Sequence, residues 1–128
     1  MDKPKILIID DEQEFLDLLK MSLELEGYDI ITAVNGEDGL AKFQDQKPDL
    51  IICDIIMPQK DGYEVLKAVK EKQDRWIPFI MLSAIGDLDK IKQAYDGETD
   101  FYLTKPVEPW ILTKNIKTLL ALAQQRRQ

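Results

Sequence analysis

Three uninterrupted apolar runs, each stopping on a polar group, constrain this chain more than any other feature. Ile6-Leu7-Ile8-Ile9 stops at Asp10-Asp11, Leu50-Ile51-Ile52-Cys53 stops at Asp54, and Phe79-Ile80-Met81-Leu82 stops at Ser83. Runs without polar alternation suit strands buried on both faces, as in a parallel sheet. Weaker strand patterns lie at residues 30–34 and 101–103. Helical patterns separate them. Phe15, Leu16, Leu19 and Leu23 recur at helical spacing, and Gly27 offers a stop. Asn35 can cap a second helix carrying Leu40, Ala41 and Phe43. Asp61 with Glu64 reads as a capping pair for a third, through Val65, Leu66 and Val69. Residues 88–95 suit a fourth. Pro109 suits the first turn of a fifth, with Leu112, Ile116, Leu119, Leu120 and Ala123 on one face.

Strand and helix thus alternate five times, which predicts a doubly wound α/β fold with covered faces and right-handed crossovers. We expect one domain over residues 1–128, with its core at about 5–123; residues 124–128 are a polar tail or the start of a linker. In open α/β sheets the working site lies beyond the carboxyl ends of the strands, at a topological switch point. Here those ends carry Asp10, Asp11, Asp54 and Ser83, and Lys105-Pro106 follows the fifth strand.

Composition narrows the chemistry. With 17 basic and 24 acidic residues the net charge is −7, so direct binding to nucleic acid is disfavoured. No apolar run approaches the ~20 residues that span a bilayer, and Met1-Asp2-Lys3-Pro4 has no signal-peptide core. Cys53, the single cysteine, cannot form an internal disulfide; this fits a reducing cytoplasm, with the thiol as a small core group. There is no histidine, hence no imidazole ligand or base. Any metal must be held by oxygens, which points to Mg²⁺.

Three carboxylates at adjacent strand ends repel one another unless a cation sits among them. With Mg²⁺ in place, one carboxylate can accept a phosphoryl group, with Lys105 neutralising charge and Ser83 bonding an oxygen. Each residue also has a plainer reading. Asp11 with Glu14 equally suits a helix N-cap, Ser83 a cap, and Asp10, Asp54 and Lys105 solvated ends and loops. Their joint placement favours chemistry.

The chain resembles the receiver domains of bacterial two-component response regulators. The matching pieces are Ile8-Ile9-Asp10-Asp11-Glu12, Asp54-Ile55-Ile56-Met57-Pro58 with Gly62-Tyr63-Glu64-Val65-Leu66, Pro78 through Ala84, and Tyr102-Leu103-Thr104-Lys105-Pro106. The resemblance implies a flavodoxin-like (βα)5 fold with sheet order 2-1-3-4-5. It implies Asp54 as phosphoacceptor from a sensor histidine kinase or histidine phosphotransfer protein. Asp11, Asp54 and the Ile56 backbone carbonyl would ligate Mg²⁺, and Asp10 would act mainly through a water. Ser83 and Lys105 would bind phosphoryl oxygens, Ser83 and Tyr102 would form the switch, and the peptide before Pro106 would be cis. The face of the fourth helix, fifth strand and fifth helix would serve a downstream protein, a fused output domain, or a phosphorylation-dependent homodimer. The implied role is a switch that promotes its own phosphorylation and dephosphorylation, rather than an enzyme acting on a separate substrate.

Three features depart from the family pattern. Glu98-Thr99 replaces the usual Gly-Ala, with Gly97 one place early. Ile56 and Ile85 stand two residues past the phosphoacceptor and the serine, where apolar bulk either hinders an attacking water or simply packs. Trp110 and Ile111 stand where polar residues are usual; Trp110 belongs either to a partner contact or to the core edge. Two rivals remain: a small Mg²⁺-dependent phosphohydrolase, disfavoured because no acid or base stands in the four residues after Asp54, and a receiver-like module that is never phosphorylated. Whether the domain is free-standing or part of a longer protein stays open.

Overall fold

The structure, a computed structural model, describes residues 3–84 and 101–127. Among them five strands, β1 (Lys5–Ile9), β2 (Asp29–Ala33), β3 (Leu50–Asp54), β4 (Phe79–Ser83) and β5 (Phe101–Thr104), form one parallel sheet in the order β2-β1-β3-β4-β5. The helices are α1 (Gln13–Leu25), α2 (Gly36–Gln46), α3 (Gly62–Lys72) and α4 (Pro109–Arg126). Both weak strand patterns form strands, and the order matches the expected one. The helical pattern at 88–95, together with Ile85, Gly97, Glu98 and Thr99, lies outside the described residues.

The apolar runs are continuous because the sheet is covered twice. Side chains alternate across a strand with a period of two. Leu7, Ile9, Ile51, Cys53, Phe79 and Met81 pack with Phe43 of α2 and Val65, Leu66 and Val69 of α3. Ile6, Ile8, Leu50, Ile52, Ile80 and Leu82 pack on the other face with Leu16, Leu19 and Leu23 of α1 and Leu112, Ile116 and Leu119 of α4. Cys53 is fully buried in the first cluster, and burial pushes its thiol well above the usual range, so it acts as a core group.

Local signals set the helix ends. The Asn35 side chain accepts from the Asp38 amide at 2.8 Å, opening α2. Asp61 and Glu64 form a reciprocal capping box on α3. Gly27 has φ of 95°, a left-handed conformation that ends the α1 segment at little cost for glycine. Gly62 serves close approach: a Cβ there would lie 2.6 Å from the Asp54 carbonyl oxygen. Its amide donates to the Ile55 carbonyl at 2.8 Å, so α3 starts hard against the end of β3.

Two expectations need correction. The α1 N-cap is Glu12, not Asp11, and the Glu12 side chain makes no capping hydrogen bond. The Asp10 carboxylate bends back instead and accepts from the Glu12 amide at 2.9 Å. Residues 124–126, expected as a polar tail or the start of a linker, continue α4 through Arg126. The Arg126 guanidinium lies over the Trp76 ring at 3.8 Å and Arg127 reaches Asp49 at 3.9 Å, which gives these polar residues partners near the amino-terminal edge of the sheet. No helix among the described residues is long and apolar enough to cross a membrane.

Candidate functional site

Register builds the site. Ile9 pairs with Cys53 across β1 and β3, so the next residues, Asp10 and Asp54, stand side by side on neighbouring strand ends. This is the switch point of the topology, where β1 is flanked by β2 on one side and β3 on the other. Asp54 pairs with Leu82 and Ser83 pairs with Thr104, which brings Ser83 and Lys105 to the same edge. The Lys105 amide continues the ladder to the Ser83 carbonyl at 2.7 Å, and the Lys105-Pro106 peptide is cis.

Lys105 closes the cluster. Its ammonium donates to Asp10 Oδ2 at 2.7 Å, to Asp54 Oδ2 at 3.4 Å and to Glu12 Oε1 at 3.5 Å. It also lies 4.4 Å from the centre of the Phe15 ring. Asp10 is fully buried and Asp54 nearly so. Burial raises the Asp10 pKa, partly offset by its hydrogen bond from Lys105. Burial, with the Asp10 charge beside it, pushes Asp54 up to about 6. Burial alone would lower Lys105, but its hydrogen bond to Asp10 and the surrounding carboxylates outweigh this and raise it.

Asp10, Asp11 and Glu12 have carboxylate oxygens within 4.8 Å of one another, a hard-oxygen set that suits Mg²⁺. Asp54 is outside that tight group and joins it through Lys105. Asp11 is exposed, with no capping duty to compete. Ser83 is 2% exposed, and its hydroxyl has no hydrogen-bond partner among the described residues. An orphaned buried hydroxyl costs about 1–3 kcal/mol, a cost that a bound anion's oxygen would relieve. The Ile56 side chain is exposed beside the site.

Three contributors escape the sequence reading. Glu12 is the third partner of Lys105. Phe15 places its ring against the same ammonium. Tyr63, 3% exposed on α3, shares a hydroxyl–hydroxyl hydrogen bond of 2.7 Å with Tyr102. Tyr102 packs against the α2/α3-side core. No spacing rule links residues 63 and 102, so only the fold reveals this pair. Trp110 is 63% exposed, and its indole donates to Glu108 at 2.6 Å. It lines a groove with Ser22 and Leu25 of α1 and with Glu26 just after it, so the surface it shares is with α1. Ile111 is half-buried.

The raised Asp54 pKa has a stability consequence. Its folded value lies above that of an unfolded carboxyl, so burying the charge is penalised fully above about pH 6 and not at all below about pH 4. Asp54→Asn in divalent-free buffer near neutrality should therefore raise unfolding stability, by on the order of 1–2 kcal/mol. The gain should fade as pH falls from about 6 to about 4. Urea unfolding of both proteins across this range checks it; no gain at neutral pH would contradict the buried-charge account.

Comparison with known proteins agrees with the geometry. A sequence model described as the response regulator receiver domain matches residues 6–117. The chain is 41% identical over 117 residues to the alkaline phosphatase synthesis transcriptional regulatory protein PhoP of Bacillus subtilis, covering 91% of this chain and 48% of that protein. It is 42% identical over 115 residues to response regulator RR06 of Streptococcus pneumoniae, covering 90% and 52%. It thus spans about half the length of these relatives. A receiver domain protein from Clostridium thermocellum superposes with a TM-score of 0.87 at 31% identity, covering 95% of this chain and 98% of that one. With the acid cluster, its lysine and the buried serine at the ends of the expected strands, the chain belongs to the receiver domains of two-component response regulators.

Proposed function

We propose that Asp54 accepts a phosphoryl group from a phosphohistidine on a sensor histidine kinase or histidine phosphotransfer protein. The observation that carries this reading is the Lys105 ammonium, held between the buried Asp10 and Asp54 carboxylates at 2.7 and 3.4 Å. An Asp54 oxygen attacks phosphorus, the P–N bond of the donor breaks, and its electron pair returns to the imidazole nitrogen. With a pKa of about 6, Asp54 is mostly ionised near neutrality, as a nucleophile must be. Lys105 moves from Asp10 to a phosphoryl oxygen, and the orphaned Ser83 hydroxyl donates to another. Asp11, Asp54, the Ile56 carbonyl and, through water, Asp10 would hold Mg²⁺, which when bound supplies positive charge against the phosphoryl oxygens. These 128 residues include no histidine, so they cannot supply their own phosphohistidine.

Phosphorylation then biases a pre-existing equilibrium. Ser83 and Tyr102 carry the change to the face of β5 and α4, where a downstream protein, an output domain or a second copy reads it. The protein promotes its own phosphorylation and the loss of the phosphoryl group.

Incubation with acetyl phosphate and Mg²⁺, read by intact mass, tests the central claim. A Mg²⁺-dependent phosphoryl adduct is expected, absent from Asp54→Asn; a folded protein that takes none would overturn it.

Ile56 is exposed at the site edge and offers no polar side-chain group of its own to order an attacking water. Slow hydrolysis of the acyl phosphate is therefore expected, and Ile56→Asn with Ile85→Glu should shorten its lifetime. Equal decay of variant and parent would refute this.

Trp110 sits across a groove from α1, whose exposed Leu18, Met21 and Leu25 form one apolar stripe. We assign Trp110, with its chain neighbour Ile111, to a protein contact. Trp110→Ala should weaken binding to the phosphodonor, output partner or second copy about tenfold, as loss of a hot-spot tryptophan does. Unchanged affinities and oligomeric state would remove the assignment.

A further inference from the structure

We infer that Phe15 is a positioning residue for Lys105, an inference that rests on the phosphoacceptor reading and deepens it. The Lys105 ammonium has carboxylates at 2.7, 3.4 and 3.5 Å, and its three N–H groups can serve these three. The Phe15 ring, its centre 4.4 Å from the nitrogen, covers a further side. A cation over a ring face is attracted by the ring quadrupole, more strongly where water is excluded. Here the Lys105 side chain is only 17% exposed.

The ring's backbone makes this more than edge packing. Phe15 is in the first turn of α1, which starts directly after Asp10, Asp11 and Glu12. The aromatic face is therefore tied to the same few residues that hold the acids. Asp10 must give up Lys105 when the lysine turns to a phosphoryl oxygen, and a bound cation would draw the carboxylates away as well. The ring contact needs no carboxylate and persists through that exchange. It limits the swing of a flexible four-carbon side chain and keeps the ammonium beside Asp54. A leucine at this place would fill similar volume and pack on the α1/α4-side core, where Phe15 also rests, without offering a π face.

The test compares Phe15→Leu with Phe15→Tyr and Phe15→Trp. The first readout is the rate of phosphorylation at saturating acetyl phosphate and Mg²⁺. The second is the proton NMR shift of the Lys105 ε-methylene, which a nearby ring face displaces upfield. Phe15→Leu should slow phosphorylation about three- to tenfold, as expected for one partly desolvated cation–π contact, and abolish the upfield displacement. Phe15→Tyr and Phe15→Trp should restore both. Thermal melts of all three separate positioning from folding. An unchanged rate in Phe15→Leu overturns the inference. So do slowing that tracks lost thermal stability in all three variants and a parent spectrum without the displacement. If the parent protein takes no phosphoryl group at all, the phosphoacceptor reading itself falls and the positioning role with it, even where the ring shift persists. That outcome is distinct from a normal parent and an indifferent leucine variant.

Discussion

Two buried carboxylates standing one strand apart are the arrangement on which the rest of this site depends. Asp10 and Asp54 extend the β1–β3 register by one residue beyond the Ile9–Cys53 pair, so the sheet itself holds them together. Neither can move away without breaking the ladder that places it. Their mutual repulsion and poor solvation must be met by a cation, and in this structure the Lys105 ammonium meets it. The site is thus strained electrostatically by the same sheet that stabilises the fold. A phosphoryl group and a divalent ion would redistribute that strain, which is what allows a small chemical event to shift a conformational balance.

The double cover of the sheet makes this possible. With α2 and α3 on one face and α1 and α4 on the other, the strand interiors are dry, and the carboxyl ends are the nearby place where polar groups can gather. The close start of α3 against β3, enforced at Gly62, keeps the chain after Asp54 tight to the site. The period of two sorts the functional side chains as well. Leu103 packs on the α1/α4 side, as does the register of Asp10 and Asp54, and Lys105 follows it. Tyr102 packs on the opposite side, where it meets Tyr63. The charge cluster and the Tyr63–Tyr102 pair therefore lie on opposite sides of the carboxyl end of one sheet.

Much of this was legible in the chain. Five strands, the caps at Asn35 and Asp61, the glycine stop at residue 27 and the placement of Asp10, Asp54, Ser83 and Lys105 all follow from local pattern, because apolar continuity and capping chemistry act over a few residues. The cap reading of Asp11 does not hold, because the helix starts one residue later, at Gln13, with Glu12 in the N-cap place. Residues 124–126 looked like a tail because their partners, Trp76 and Asp49, lie far away in sequence.

The sequence by itself determined the sheet, its cover and which strand ends carry acids, since burial on two faces leaves a pattern that each segment shows alone. Tertiary structure decided which side chains meet. The Lys105 contacts with Asp10 and Asp54 span 95 and 51 residues, and the Tyr63–Tyr102 pair spans 39. Such contacts depend on strand order, register and the direction of a flexible side chain. These are fixed when the whole sheet closes and leave no local trace in composition or spacing.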